Sequence, residues 1–161
     1  MSEEMTKDEW LDFMQQRLFD IIDNSNDLYD VFEKQGEKDK KVIDIYTKTN
    51  HFEDISADEI AEVATCLSDL VFATPLYEEF FYVHTNDGRE MIFFTNYDEL
   101  KEYKEKNNNC QFVYLKFEDL IILGDYFGLD LITLFLTKYV LNFPRETIEN
   151  FYAIANYENN N

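Results

Sequence analysis

Between Val83 and Leu100 the chain reads VHTNDGREMIFFTNYDEL, and its hydrophobic period changes within that stretch from a strand's to a helix's. Aromatic and β-branched residues flank Asn86-Asp87-Gly88, the pattern of a hairpin whose tight turn draws its positive φ from Asp87-Gly88. Thr95-Asn96 follows as a helix cap, with Glu99 three residues on and Tyr97, Leu100 and Tyr103 spaced for one face. A chain that joins a hairpin to a helix in this way needs a sheet with helices packed on it.

The residues before this stretch read as helical. Thr6-Lys7-Asp8-Glu9 has the form of a capping box, and Trp10, Phe13, Met14, Leu18, Ile21 and Ile22 recur at three- and four-residue steps. Asn24-Ser25-Asn26-Asp27 interrupts that stripe, which predicts a second short helix carrying Leu28, Val31 and Phe32. KQGEKDKK ends it as a solvated loop. VIDIYTKT fits either a short strand or a further helical turn, so residues 42–49 stay open between the two. Ser56-Ala57-Asp58-Glu59 is a second capping box, with Ile60, Val63, Leu67, Leu70 and Val71 on one face and Thr74-Pro75 as the stop.

The residues after it alternate strands with helices. CQFVYLKF reads as a strand, and EDLIILGDYFGL as a short helix that Gly124 and Gly128 help to end. LITLFLTKYVLNF reads as one or two strands, and Pro144 as the first residue of a last helix carrying Ile148, Phe151, Tyr152 and Ala155. The expected fold is α+β, one domain over residues 1–161. A helical part (1–74) packs on a mixed sheet (75–157) with a hairpin at residues 78–95 and interleaved helices.

Charge bounds the function. Asp and Glu number 34 against 14 Lys and Arg, for a formal net charge of −20. Such a field repels nucleic acid and anionic membranes, and attracts a protein partner with a basic surface. Cys66 and Cys110 stand in no metal or redox spacing and are expected as buried free thiols. The opening MSEEMTKDEW lacks the charge and apolar run of a signal peptide, and the 13-residue LITLFLTKYVLNF is interrupted by Lys138. A membrane span needs ~18 uncharged apolar residues. A cytoplasmic location is therefore expected, and the oligomeric state is left open.

From Leu76 to Phe151 the order of these segments resembles the SseB-like domain (the SseB protein N-terminal domain family). LYEEFFYV, the Asp87-Gly88 turn, IFFTNYDELKEYK, KFEDLIIL and YVLNFPRETIENF carry the likeness, with Phe94-Thr95 and Asn142-Phe143-Pro144 as its anchors. GLDLITLFLTK departs from the family as an inserted-looking stretch, and Phe143 separates Asn142 from Pro144. The resemblance implies a bacterial α/β protein, linked by name to serine sensitivity or secretion. It supplies no catalytic residue to carry over.

Chemistry is sparse. His84, Asp87 and Arg89 read as hairpin residues, and His51 beside Glu53 and Asp54 as part of a loop before a helix cap. No glycine-rich phosphate loop or Gly-x-Ser-x-Gly elbow is present. No catalytic residue, cofactor or metal is expected. The candidate partner-binding residues are Asp98, Glu99 and Glu102, with the acidic first helix (Asp8, Glu9 and Asp12) nearly as good. The expectation is a non-enzymatic bacterial protein that binds another protein, as an immunity-type antitoxin neutralising a basic toxin would. The alternatives are an adaptor or chaperone for a secretion system, and a small hydrolase using surface carboxylates.

Overall fold

The computed structural model describes residues 6–76, 83–107 and 111–159. The order is α1 (Lys7–Lys34), α2 (Lys40–Lys48), α3 (Ala57–Ser68), β1 (Val71–Leu76), β2 (Val83–Thr85) and β3 (Gly88–Phe94), then α4 (Tyr97–Lys106), β4 (Gln111–Lys116), α5 (Phe117–Phe127), β5 (Leu131–Leu136), β6 (Tyr139–Pro144) and α6 (Arg145–Asn159). The sheet runs β4-β1-β3-β5-β6, with β2 added beside β3. The fold is α+β, and its helical N-terminal part packs on the sheet as expected.

β3 runs through the middle of the sheet. It pairs antiparallel with β1 through Ala73↔Phe94 and with β2 from Val83↔Glu90 to Thr85↔Gly88. On its other side it pairs parallel with β5, from Glu90↔Leu131 to Phe94↔Phe135. The expected hairpin is the β2–β3 pair; residues 78–82 of its first arm lie outside the described residues. Only Gly88 supplies the positive φ, at 120°, and Asp87 does not share it.

Each face of the sheet has its own core. On one, Phe72, Met91, Phe93, Ile132 and Leu134 meet Val63 and Leu67 of α3, Leu120 and Leu123 of α5, and Ile148 of α6. On the other, Val71, Ala73, Phe94 and Tyr114 meet Phe32 of α1 and Leu100 of α4. α1 serves both, because its Ile21 joins the first core and its Phe32 the second.

That crossing explains the one helix where two are expected. Asn24-Ser25-Asn26 does not break α1; it is where the helix passes the edge of β4. Ser25 is buried, and its Oγ accepts from the Tyr114 N–H at 2.8 Å. A small polar side chain there lets the helix approach closely and satisfies an edge donor that would otherwise be orphaned.

Of residues 42–49, all but the C-cap Thr49 are helical, within α2. Val42 and Ile45 are buried, and Ile43 and Tyr46 flank them, so the apparent alternation is two adjacent helical rows. The sheet begins at Val71, inside the segment expected to be helical, and Pro75 is a strand residue rather than a helix stop. Because Tyr114 N–H points away from β1, its partner Ala73 faces β3, and Pro75, two residues on, does too. β1–β3 pairing is confined to Ala73↔Phe94, so the missing N–H of Pro75 loses no ladder bond.

Two further expectations shift. Gly124 lies inside α5 rather than ending it; Gly128, with φ 60°, is the left-handed cap. Pro144 closes β6 one residue before α6 starts. Cys66 is half-buried rather than buried, its thiol bonded to the Lys38 carbonyl at 3.4 Å, while Cys110 lies outside the described residues. Burial pushes the Cys66 thiol up from its ordinary value.

Candidate functional site

α4 begins where Asn96 Oδ1 accepts from the N–H groups of Asp98 and Glu99, at 2.9 and 3.3 Å. The three predicted partner-binding residues on this helix have different surroundings. Asp98 is exposed. Glu99 turns back and its Oε1 accepts from the Lys138 N–H at 3.0 Å, supporting the β5–β6 turn where Lys138 takes φ 65°. Glu102 is exposed and pairs with Lys106 at 3.3 Å. Lys101, Lys104 and Lys106 leave α4 with little net charge.

Of the hairpin residues, Arg89 is engaged in architecture. His84 stands opposite Arg89 across the β2–β3 register. Arg89 Nη1 donates to the Phe127 carbonyl at 2.7 Å at the end of α5, and the Arg89 N–H donates to Asp130 Oδ2 at 2.9 Å. His51 is exposed and stacks on Tyr46, with ring centroids 4.6 Å apart. Glu53 accepts from the Asn50 side chain at 2.8 Å. Among the described residues no group of three His, Cys, Asp or Glu side chains is placed to hold a metal ion.

The loop between α1 and α2, expected to be solvated, is a polar hub. Asp39 has no exposed surface, and its carboxylate accepts from Thr95 Oγ1 at 2.6 Å, Thr137 N–H at 2.7 Å and Thr137 Oγ1 at 2.9 Å. The Gln35 amide donates to the carbonyls of Val71 and Thr95 and accepts from the Val71 N–H. Asn96 Nδ2 donates to the Gly36 carbonyl at 3.1 Å, and Lys38 Nζ to the Asp69 carbonyl at 2.9 Å. These contacts join α1 and α2 to the ends of β1, β3 and β5. They are structural, since each polar group is directed at a backbone or hydroxyl partner within the protein.

α1 carries the largest net charge of the described elements. Asp8, Glu9, Asp12, Asp20, Asp23, Asp27, Asp30 and Glu33 stand against Lys7, Arg17 and Lys34. Its buried row is Met14, Ile21, Ser25 and Phe32. A second row, Asp8, Asp12, Gln15, Phe19, Ile22, Asn26, Asp30 and Glu33, lies roughly a third of a turn round the helix from it and is exposed throughout. Phe19 is 59 % exposed and Ile22 42 %, so Ile22 faces outward although its spacing predicts the core. Phe13 is likewise exposed, at 48 %. The stripe of apolar residues is wider than the sheet can cover, and its surplus shows on the surface.

Near the C-terminal half of α1, Tyr29 packs edge-on against Tyr114 at 5.1 Å. The bond to Glu33 raises the Tyr29 phenol above its ordinary value, and burial pushes Tyr114 up to about 12. A cleft of about 350 Å³ beside α1 is lined by Arg17, Asp20, Asp27, Lys116, Glu118 and Asp119. Burial raises the Asp119 carboxyl. A separate groove of about 490 Å³ between residues 52–55, α3 and α6 is lined chiefly by Phe52, Ile60, Phe143, Phe151 and Ile154. Among the described residues no helix is long and apolar enough to cross a membrane. Compared with models of protein families, with curated proteins and with solved structures, the chain finds no match in any of the three.

Proposed function

We propose that this is a non-enzymatic bacterial protein that binds a protein partner through its acidic surface. The observation that carries the reading is the outer side of α1, where large apolar side chains stand exposed among carboxylates. Exposed apolar residues within a polar surround are the usual composition of a docking surface, with the apolar centre supplying affinity and the charges steering encounter. On α4 Asp98 adds one exposed carboxylate, while Glu102 pairs with Lys106 and Glu99 serves the β5–β6 turn. An excess of 20 negative charges selects a basic partner. Immunity-type neutralisation of a basic toxin in the cytoplasm gives the acidity its fullest explanation. The adaptor or secretion-chaperone reading uses the same surface. An SseB-like origin belongs to the same proposal, supported by Phe94-Thr95 leading into α4 and Asn142-Phe143-Pro144 leading into α6.

The test is capture of the natural partner from the source cell, followed by stopped-flow association with the purified protein. We expect a basic partner whose association rate falls steeply with ionic strength, because exposed charges are screened beyond about 8 Å at physiological salt. An acidic partner, or binding that strengthens with salt, would overturn the reading.

A further inference from the structure

The exposed row of α1 has an internal order. Phe19 and Ile22 lie at its centre, Gln15 and Asn26 stand on either side of them, and carboxylates occupy both ends, Asp8 and Asp12 before and Asp30 and Glu33 after. Residues at these three- and four-residue steps share one face of a helix. Over Asp8 to Glu33 the row is roughly 38 Å long at 1.5 Å per residue. It has the spacing of a helix-pairing seam and no partner element among the described residues lies over it.

We infer that this row is the docking site for one amphipathic helix of the partner, with Lys or Arg at both of its ends and apolar residues at its centre. The inference rests on the proposed binding of a basic protein and names the surface and the partner's local chemistry. A second copy of this chain is the obvious rival occupant, and charge disfavours it in both orientations. Parallel pairing sets Asp8 and Asp12 against themselves, and antiparallel pairing sets them against Asp30 and Glu33. Like charges facing each other across such a seam repel, whereas a helix with basic ends answers all four carboxylates at once. The two central side chains contribute differently from the charges. Covering Phe19 and Ile22 removes apolar surface from water and slows dissociation, while the carboxylates act on the approach.

The probe is a synthetic helix of roughly 25 residues, matching the row's length at 1.5 Å per residue, with lysine-rich ends and a leucine centre. A peptide of identical composition and scrambled order is its control. Binding to the full chain is measured by fluorescence anisotropy at physiological ionic strength. The ordered peptide should bind at least about tenfold more tightly than the scrambled one, a difference of about 1.4 kcal/mol. The double change Phe19→Ala, Ile22→Ala should remove that preference while the chain stays folded by circular dichroism, because both side chains are about half exposed. Asp12→Lys with Asp30→Lys should weaken the ordered peptide more than Asp98→Lys with Glu102→Lys on α4. If the ordered peptide binds and the α1 changes leave its affinity intact, the assignment to this row is refuted while the basic-partner reading stands. If neither peptide binds at any ionic strength, the basic-partner reading itself fails. Concentration-dependent dimerisation that Phe19→Ala, Ile22→Ala abolishes would replace the partner helix with a second copy.

Discussion

Replacing Asp39 with alanine tests whether the loop between α1 and α2 holds the fold together. In the native protein the carboxylate receives three hydrogen bonds, from Thr95 Oγ1, Thr137 N–H and Thr137 Oγ1, in a place with no exposed surface. It also stands at the N-terminus of α2, whose dipole favours a negative charge. Asp39→Ala does not affect the three donors equally. Thr95 Oγ1 also lies 3.3 Å from the Phe135 carbonyl and can donate there instead. Thr137 N–H has a fixed direction and is left without its acceptor in a half-buried place, at a cost in the lower part of about 1–3 kcal/mol. The hydroxyl bond of Thr137 to a charged group adds about 1.5–3 kcal/mol, and the carboxylate's own desolvation, relieved by its removal, offsets part of the sum.

The net loss should be about 3 kcal/mol. In a domain of this size each kcal/mol moves the melting temperature by about 2–4 °C, which gives a fall of roughly 6–12 °C. Asp39→Asn keeps the shape and one carbonyl acceptor for Thr137 N–H, so it should lose about half as much. Asp44→Ala, an exposed carboxylate on the same helix, is the control and should stay within about 0.5 kcal/mol. Urea unfolding followed by circular dichroism reads all three. If Asp39→Ala unfolds at the same urea concentration as Asp44→Ala, the hub argument is wrong and the loop is an ordinary surface connection.

Two further outcomes follow from local geometry. Glu59 completes the capping box of α3; the Ser56 backbone N–H, then the Ser56 hydroxyl, then Lys48 hold its carboxyl below the ordinary glutamate range. A depressed carboxyl stabilises the fold above its unfolded value and loses that contribution as pH falls through the folded one. Glu59→Gln should therefore be less stable at neutral pH, with a deficit that closes on acidification; a deficit constant across that range would rule out the charge as its source. Gly88 takes φ 120°, and a Cβ there would lie 2.1 Å from Asp130 Oδ2. Gly88→Ala should cost more than about 1 kcal/mol, and adding Asp130→Ala should restore only part, because the backbone strain remains. Full recovery in the double variant, by the same urea assay, would show the contact alone to be responsible.

What the sequence makes legible, and what it hides, divides along physical lines. Local signals read through cleanly. Thr6, Ser56 and Asn96 each cap the helix predicted for them, since a cap is a bond between neighbours and its pattern is written in four consecutive residues. Pairing across the sheet carries no such mark. Pro75 looks like a helix stop until the β1–β3 register, set by residues twenty positions away, shows that its nitrogen is on an unpaired side. Ser25 looks like a break until β4, almost ninety residues later, brings the Tyr114 N–H to it. KQGEKDKK looks solvated because its charges are visible and its partners, Thr95 and Thr137, are not adjacent to it. In each case a residue that contradicts the local pattern is explained by strands distant in the chain.

The candidate surface was half legible for a related reason. Acidity can be counted, and Asp8, Glu9 and Asp12 make the first helix acidic on sequence alone. The exposure of Phe19 and Ile22 cannot be counted, because an apolar residue on an amphipathic helix reads as core until the width of the sheet beneath is known. α1 must cross the edge of β4 to serve both cores, so its buried row is a narrow one at each point along its length. The same crossing that protects the edge strand through Ser25 therefore turns the remaining apolar residues outward. On this argument the exposed row is a consequence of how α1 joins the fold. The carboxylates at both its ends oppose pairing with itself, and on the proposal above they suit the row to a partner of opposite charge.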